Sequence, residues 1–176
     1  MKLNNEPSSN FARINLLRGG VEEVTDMWKE EGLQHRRFNV GWESDGAVFE
    51  LKSGVFFPNL KSFNSGMFYI QDPSTLLSVR ALAPQPGDKV LDLCAAPGGK
   101  TCMIAQAMKN EGEILAVDLD EGRLELVKDN IYRLGVTCVE TALAHEIAAD
   151  VPQGKFDRVL LDAPCSNTGD VGVCSV

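Results

Sequence analysis

What this chain lacks narrows it first. No run of apolar residues approaches the length that crosses a bilayer, and Met1-Lys2-Leu3-Asn4-Asn5 offers no apolar signal segment, so the expectation is a cytoplasmic protein with no membrane contact. Cysteine is scattered: Cys94, Cys102, Cys138, Cys165 and Cys174 are odd in number and include no Cys-x-x-Cys pair. That argues against a disulfide framework and a zinc site, and predicts reduced thiols and no bound metal. Positive charge is short too. A formal net charge of −8 leaves no overall basic footprint, so any nucleic-acid contact has to come from local patches or another domain. At 176 residues and 44% hydrophobic, the chain can bury one core with a small appendage.

Two phosphate-binding loops are absent as well. A Walker A loop needs a glycine five positions before the glycine of Gly99-Lys100-Thr101, and Cys94 stands there. Nor can the run from Cys94 to Lys100 be read as Gly-x-Gly-x-x-Gly. What is present is a short apolar run, Val90-Leu91-Asp92-Leu93, breaking into Cys94-Ala95-Ala96-Pro97-Gly98-Gly99 and then into a helix from Thr101. Small residues and two glycines let a ligand approach the backbone, and the helix start supplies unpaired N–H groups. The pattern fits a nucleoside ligand without a diphosphate, with S-adenosylmethionine the leading candidate. About twenty residues on, at the end of the strand Glu113 to Asp118, Asp118 holds the position from which a carboxylate reaches two ribose hydroxyls. Asp120 or Glu121 could instead supply the cap of the next helix, which frees Asp118 for that role.

Taken in order, the alternation over residues 11–18 predicts a strand, and residues 21–31 a helix with Val24, Met27 and Trp28 on its inner face and Gly32 at its end. Residues 38–65 read as short strands and turns, and His35-Arg36-Arg37 as a solvated loop. Residues 74–82 form a helix capped by Asp72 or Ser74, burying Leu76, Leu77 and Val79. A helix over 101–109 is closed by Gly112, a helix over about 121–134 by Gly135, and residues 136–139 and 156–161 give the third and fourth core strands.

Two stretches carry a family resemblance. Asp92 to Thr101, and Asp162-Ala163-Pro164-Cys165-Ser166 at the end of the fourth strand, resemble the first and fourth motifs of the Sun/RsmB/NSUN RNA (cytosine-5) methyltransferases. Arg13-Ile14-Asn15 and Gln71-Asp72-Pro73-Ser74 are similar to segments upstream of that core, the latter lying in the family beside the methionine end of the cofactor. The resemblance implies an α/β fold, a Rossmann-like class I methyltransferase core over residues 71–176, a small α+β subdomain over residues 11–70 and a flexible start over residues 1–10. It also implies S-adenosylmethionine held by Cys94, Ala95, Ala96, Pro97, Gly98, Gly99, Lys100, Asp118, Arg123, Asp162 and Pro164, with Cys165, Asp162 and Lys100 as the catalytic set.

The chemistry explains the cysteine. C5 of cytosine is a poor nucleophile until a thiolate adds to C6, after which methyl transfer and loss of the C5 proton can follow. In the family a second cysteine, in a later Thr-Cys motif, adds to C6, and the cysteine matching Cys165 resolves the adduct. This sequence departs from the family in two ways: no Asp follows the third strand to address adenine, where Thr141 to Glu146 stand, and the family's later segments do not follow Gly169. The expectation is therefore a core with an incomplete sheet and its fourth strand as an uncovered edge, acting on rRNA or tRNA, with another domain or chain supplying RNA binding and the nucleophile. The alternative is a non-catalytic module that keeps the fold and the cofactor.

Overall fold

A computed structural model of the protein describes residues 10–39, 41, 47–147 and 154–163. These residues form two four-stranded sheets joined along one seam. The first is antiparallel in the order β2-β3-β1-β4, with β1 Asn10–Ile14, β2 His35–Arg37, β3 Val48–Leu51 and β4 Phe68–Ile70. The helix α1, Val21–Glu30, covers it and drives a fully buried Trp28 edge-on against Phe49 and Phe68, with ring centroids 5.4 and 5.2 Å apart. Trp28 is core, as its place on the apolar face of the helix requires.

The second sheet is parallel, in the order β7-β6-β5-β8, with β5 Lys89–Asp92, β6 Glu113–Asp118, β7 Val139–Leu143 and β8 Arg158–Leu160. This is the 3-2-1-4 portion of a doubly wound sheet, and the strand order reverses between β5 and β8. The short α2, Lys61–Asn64, leads into β4, and α3, Leu76–Leu82, leads into β5. The helix α4, Gly99–Ala107, follows β5, α5, Glu121–Leu134, follows β6, and the single turn α6, Ala144–Ile147, follows β7. Val79, Val90, Ile104, Met108, Ile114 and Leu134 make the core between helices and sheet, and Val48 of the antiparallel sheet joins the same cluster. No helix among the described residues is long and apolar enough to cross a membrane.

The seam is polar and fully paired. Asn15 Nδ2 donates to the carbonyls of Gly66 and Leu134 at 2.9 and 2.7 Å, satisfying a helix-terminal carbonyl of α5 that has no partner within the helix. Arg133 donates to the carbonyls of Phe63 and Phe68, and its guanidinium lies 4.1 Å from the Phe63 ring centroid.

Local geometry corrects several expectations. The first strand stops at Ile14, because Asn15 turns its amide into the seam and residues 16–18 form a turn on the Asn15 carbonyl. His35 to Arg37 form strand β2 rather than a loop, with Arg36 ion-paired to Glu50 and Arg37 5.7 Å from the Phe49 ring centroid. Val55-Phe56-Phe57, an apolar run read as one of the short strands within residues 38–65, pairs with no strand: Phe56 is exposed and residues 57–59 form a 3₁₀ turn. Leu77 is 53% exposed while Leu76 and Val79 are buried, since adjacent residues diverge by about 100° around a helix. The helix after β5 begins at Gly99 and is ended by Lys109 and Asn110, both at positive φ. Val136 belongs to the C-terminal cap of α5, its N–H bonded to the Ile131 carbonyl, and the third core strand begins only at Val139.

Candidate cofactor-binding site

Strand β5 ends at Asp92, and the chain bends through residues 93–98 before α4 begins. The bend is tied at both ends. Thr101 Oγ1, in the first turn of α4, donates to Asp92 Oδ2 at 2.7 Å, and the Leu93 N–H donates to the Leu160 carbonyl of β8 at 3.0 Å. From β6, the Val117 carbonyl accepts from the Ala95 N–H, and Asp118 Oδ2 from the Ala96 N–H at 3.1 Å. Gly98 sits at φ +100, a conformation that side chains rarely adopt, and closes the bend with an N–H bond to the Ala95 carbonyl. Gly99 is dictated from outside: a Cβ there would stand 2.7 Å from the ring of Tyr69. Asp92 is buried, and burial raises its carboxyl pKa, opposed first by the Thr101 hydroxyl and then by the Lys100 charge.

The charged groups gather at the ends of adjacent strands. Lys100, in the first turn of α4, meets Asp162 just past β8 at 2.6 Å, with the two side chains 25% and 41% exposed. A pair so open to water contributes about 1 kcal/mol at most, so Lys100 can exchange this partner for a ligand cheaply. Asp118 is 6% exposed at the end of β6, where Oδ1 accepts from the Leu119 N–H at 2.9 Å and Oδ2 faces Arg123 Nη2 at 3.8 Å. Oδ1 accepts a second, longer bond from the Asp120 N–H at 3.4 Å, so the lone pair left for a hydroxyl donor is on Oδ2. The helix cap is Asp120, whose Oδ1 accepts from the Arg123 N–H, so Asp118 is not needed there. Arg123 and Asn130 brace the bend from α5, donating to the carbonyls of Ala96 and Pro97 at 3.3 and 2.9 Å.

A cleft of about 190 Å³ opens between this bend and the antiparallel sheet, lined by Tyr69, Gln71, Thr75, Cys94, Gly99 and Lys100 among others. A larger hollow of about 810 Å³ lies elsewhere, among Arg13, Leu17, Val79, Arg80, Met103 and Gln106. Size does not decide between them. In an open parallel sheet the ligand crevice lies past the carboxyl ends of the strands where their order reverses, and only the smaller cleft lies there.

Cys94, Ala95, Ala96, Pro97, Gly98, Gly99, Lys100, Asp118, Arg123 and Asp162 are thus brought around one bend; Pro164 and Cys165 lie outside the described residues. Cys94, Cys102 and Cys138 are free thiols. Burial pushes the Cys102 thiol up to about 11 and raises Cys94 and Cys138 as well, so none of the three favours the thiolate form that attacks a pyrimidine. Sequence reading missed the buried Asp92–Thr101 bond and the wall built by Tyr69. The first had a signal, a carboxylate inside an apolar run with a hydroxyl nine residues on; the second had none, because Tyr69 reaches Gly99 only through tertiary packing.

The model of the family described as 16S rRNA methyltransferase RsmB/F matches residues 79–172. The chain is 36% identical over 165 residues to the probable ribosomal RNA small subunit methyltransferase B of Bacillus subtilis, covering 93% of this chain and 36% of that protein. It is 47% identical over 130 residues to a 28S rRNA (cytosine-C(5))-methyltransferase of Mus musculus, covering 73% of this chain and 16% of that one. Among solved structures, that of PH0851 superposes with a TM-score of 0.83 at 34% identity over 92% of this chain and 36% of its own. NSun6 from Pyrococcus horikoshii with SFG shares the fold, with a TM-score of 0.72 at 23% identity over 89% of this chain and 63% of its own. The chain therefore spans well under half the length of these curated relatives. With the family model matching residues 79–172, the chain belongs to the RsmB/F rRNA methyltransferase family.

Proposed function

We propose that this chain is the cofactor-binding part of an S-adenosylmethionine-dependent RNA (cytosine-5) methyltransferase of the cytoplasm, acting on rRNA or tRNA. The observation that carries the reading is the convergence of Lys100, Asp118 and Asp162 on the Ala95 to Gly99 bend, at the point where the strand order reverses. The residues present fit the cofactor. Asp118 Oδ2 keeps a lone pair for a ribose hydroxyl, and the first turn of α4 presents backbone donors beside the Lys100 charge. A cleft of about 190 Å³ is smaller than a closed small-molecule pocket, so a nucleoside would lie along the strand ends with only one end inserted.

When bound, S-adenosylmethionine supplies an electrophilic methyl group on a sulfonium. In this reading Asp162 and Lys100 orient the target cytosine and the loop after β8, and Cys165 resolves the covalent adduct formed when a second thiolate adds to C6. RNA contacts beyond the site come from another domain or chain. The printed functions of the relatives, rRNA and tRNA cytosine methylation, support this choice of substrate.

Calorimetry with S-adenosylmethionine, followed by methyl-transfer assays on cytosine-containing RNA, tests the proposal. Binding at one site per chain, weakened about tenfold or more by Asp118→Ala as a buried charged hydrogen bond is lost, is the expected result. Binding without transfer identifies a module that needs a partner for catalysis; no binding overturns the reading.

A further inference from the structure

The hollow of about 810 Å³ that lies away from the strand ends has the make-up of a ligand site in its own right. Small molecules are held in spaces of about 300–1,000 Å³ whose walls are mostly apolar with a few polar groups. Here the turn after β1 contributes Leu16 and Leu17, α3 contributes Val79, and α4 contributes Met103 and Ala107. Leu16 stays 41% exposed although it lines a concavity, so apolar surface remains there for a ligand to cover. The charges are of one sign: Arg13, Arg80 and Lys109 line the hollow, and among the described residues no Asp or Glu does. In a chain with 25 acidic and 17 basic residues, that sign runs against the whole molecule, and it selects an anion.

Arg13 ties this hollow to the bend. It is 5% exposed in β1, and its Nη1 donates at 2.6 Å to Oε1 of Gln106, which also lines the hollow. Its Nε donates to Gln71 Oε1 in the cleft at 3.2 Å, and its Nη2 to the Gly99 carbonyl of the bend at 3.4 Å. A guanidinium donates through a rigid planar fork. Drawing it toward an anion in the hollow therefore lengthens its bonds on the other side, first the one to Gly99, which is the longest of the three. We propose that the hollow is a second ligand site, for a small apolar anion such as a ring or chain bearing one negative group, and that filling it weakens the cofactor site through Arg13. The coupling rests on the cofactor reading; the site itself does not.

The probe is anilinonaphthalene sulfonate, an aromatic body with one sulfonate whose fluorescence rises on apolar surface. The folded chain should bind it saturably, one dye per chain. Ala107→Trp, which brings an indole into the hollow from an exposed position on α4, should abolish the signal, and Lys109→Glu should weaken binding about tenfold, with thermal melting confirming that both variants fold. Saturating S-adenosylmethionine should weaken the dye about threefold, the dye should weaken S-adenosylmethionine by the same factor, and Arg13→Lys should remove that coupling. If Arg13→Lys does not fold, the reciprocal pair of titrations on the unaltered chain carries this arm. A signal that survives Ala107→Trp overturns the site, and full-strength binding to Lys109→Glu overturns the choice of an anion. Dye and cofactor that bind independently overturn the coupling. If the unaltered chain binds no S-adenosylmethionine, the cofactor reading falls and the coupling with it, while the dye titrations alone still decide the site.

Discussion

Strands β1 to β4 and strands β5 to β8 each form a four-stranded sheet, but they treat their polar groups differently. In the antiparallel sheet the polar residues weld: Asn15 closes two carbonyls, and Arg13 bridges to α4. In the parallel sheet the carboxyl ends of β5, β6 and β8 carry Asp92, Asp118 and Asp162, and the pair between Lys100 and Asp162 is partly open to water. One sheet makes a rigid wall; the other presents exchangeable groups to it. The cleft exists because Tyr69 of the wall comes to rest on Gly99 of the bend.

Substitutions in the two sheets break this contrast in graded ways. The largest effect is expected on the welded side. A Cβ at Gly66 would stand 1.9 Å from the Arg133 carbonyl oxygen, at φ +72. Gly66→Ala should therefore cost about 3 kcal/mol or more in urea unfolding, or abolish folding, because backbone on both sides must move. Gly99→Ala meets a side chain instead, so Tyr69 can yield. About 1–2 kcal/mol of stability is expected to be lost, with a larger fractional loss of nucleoside affinity, and in a Tyr69→Ala background Gly99→Ala should cost little further stability.

The smallest effect is on acid stability. Donation from Arg158, and then from the Gln85 N–H, holds the Asp88 carboxyl below its ordinary pKa. An acid with a lower pKa in the folded state stabilises the fold above its unfolded pKa, and that contribution disappears as pH falls through the folded value. Melting temperatures below the ordinary carboxylate range should thus fall more steeply in the unaltered chain than in Asp88→Asn.

Much of the parallel sheet was legible in the sequence, because its signals are local. Strand β6 and helix α5 have the bounds that their apolar period and the cap Gly135 require, and the bend announces itself through small residues between a strand and a helix. The antiparallel sheet was less so. Asn15 ends β1 for the sake of carbonyls at Gly66 and Leu134, and Arg36 becomes a strand residue because Glu50 faces it across the ladder. Val136 looked like strand because it is apolar and β-branched, yet it seals the end of α5. The same limit hid the site's far wall: Tyr69, Gln71 and Arg13 acquire their roles only once the two sheets are packed together.

The central claim is that the ligand lies on the bend after β5 and not in the larger hollow. Titrating S-adenosylmethionine into the isotopically labelled chain and following backbone amide resonances tests this residue by residue. Shifts concentrated at residues 94–100, at Asp118 and Leu119 and at Asp162 are expected; shifts centred on Val79, Arg80, Met103 and Gln106, or none at all, would contradict it.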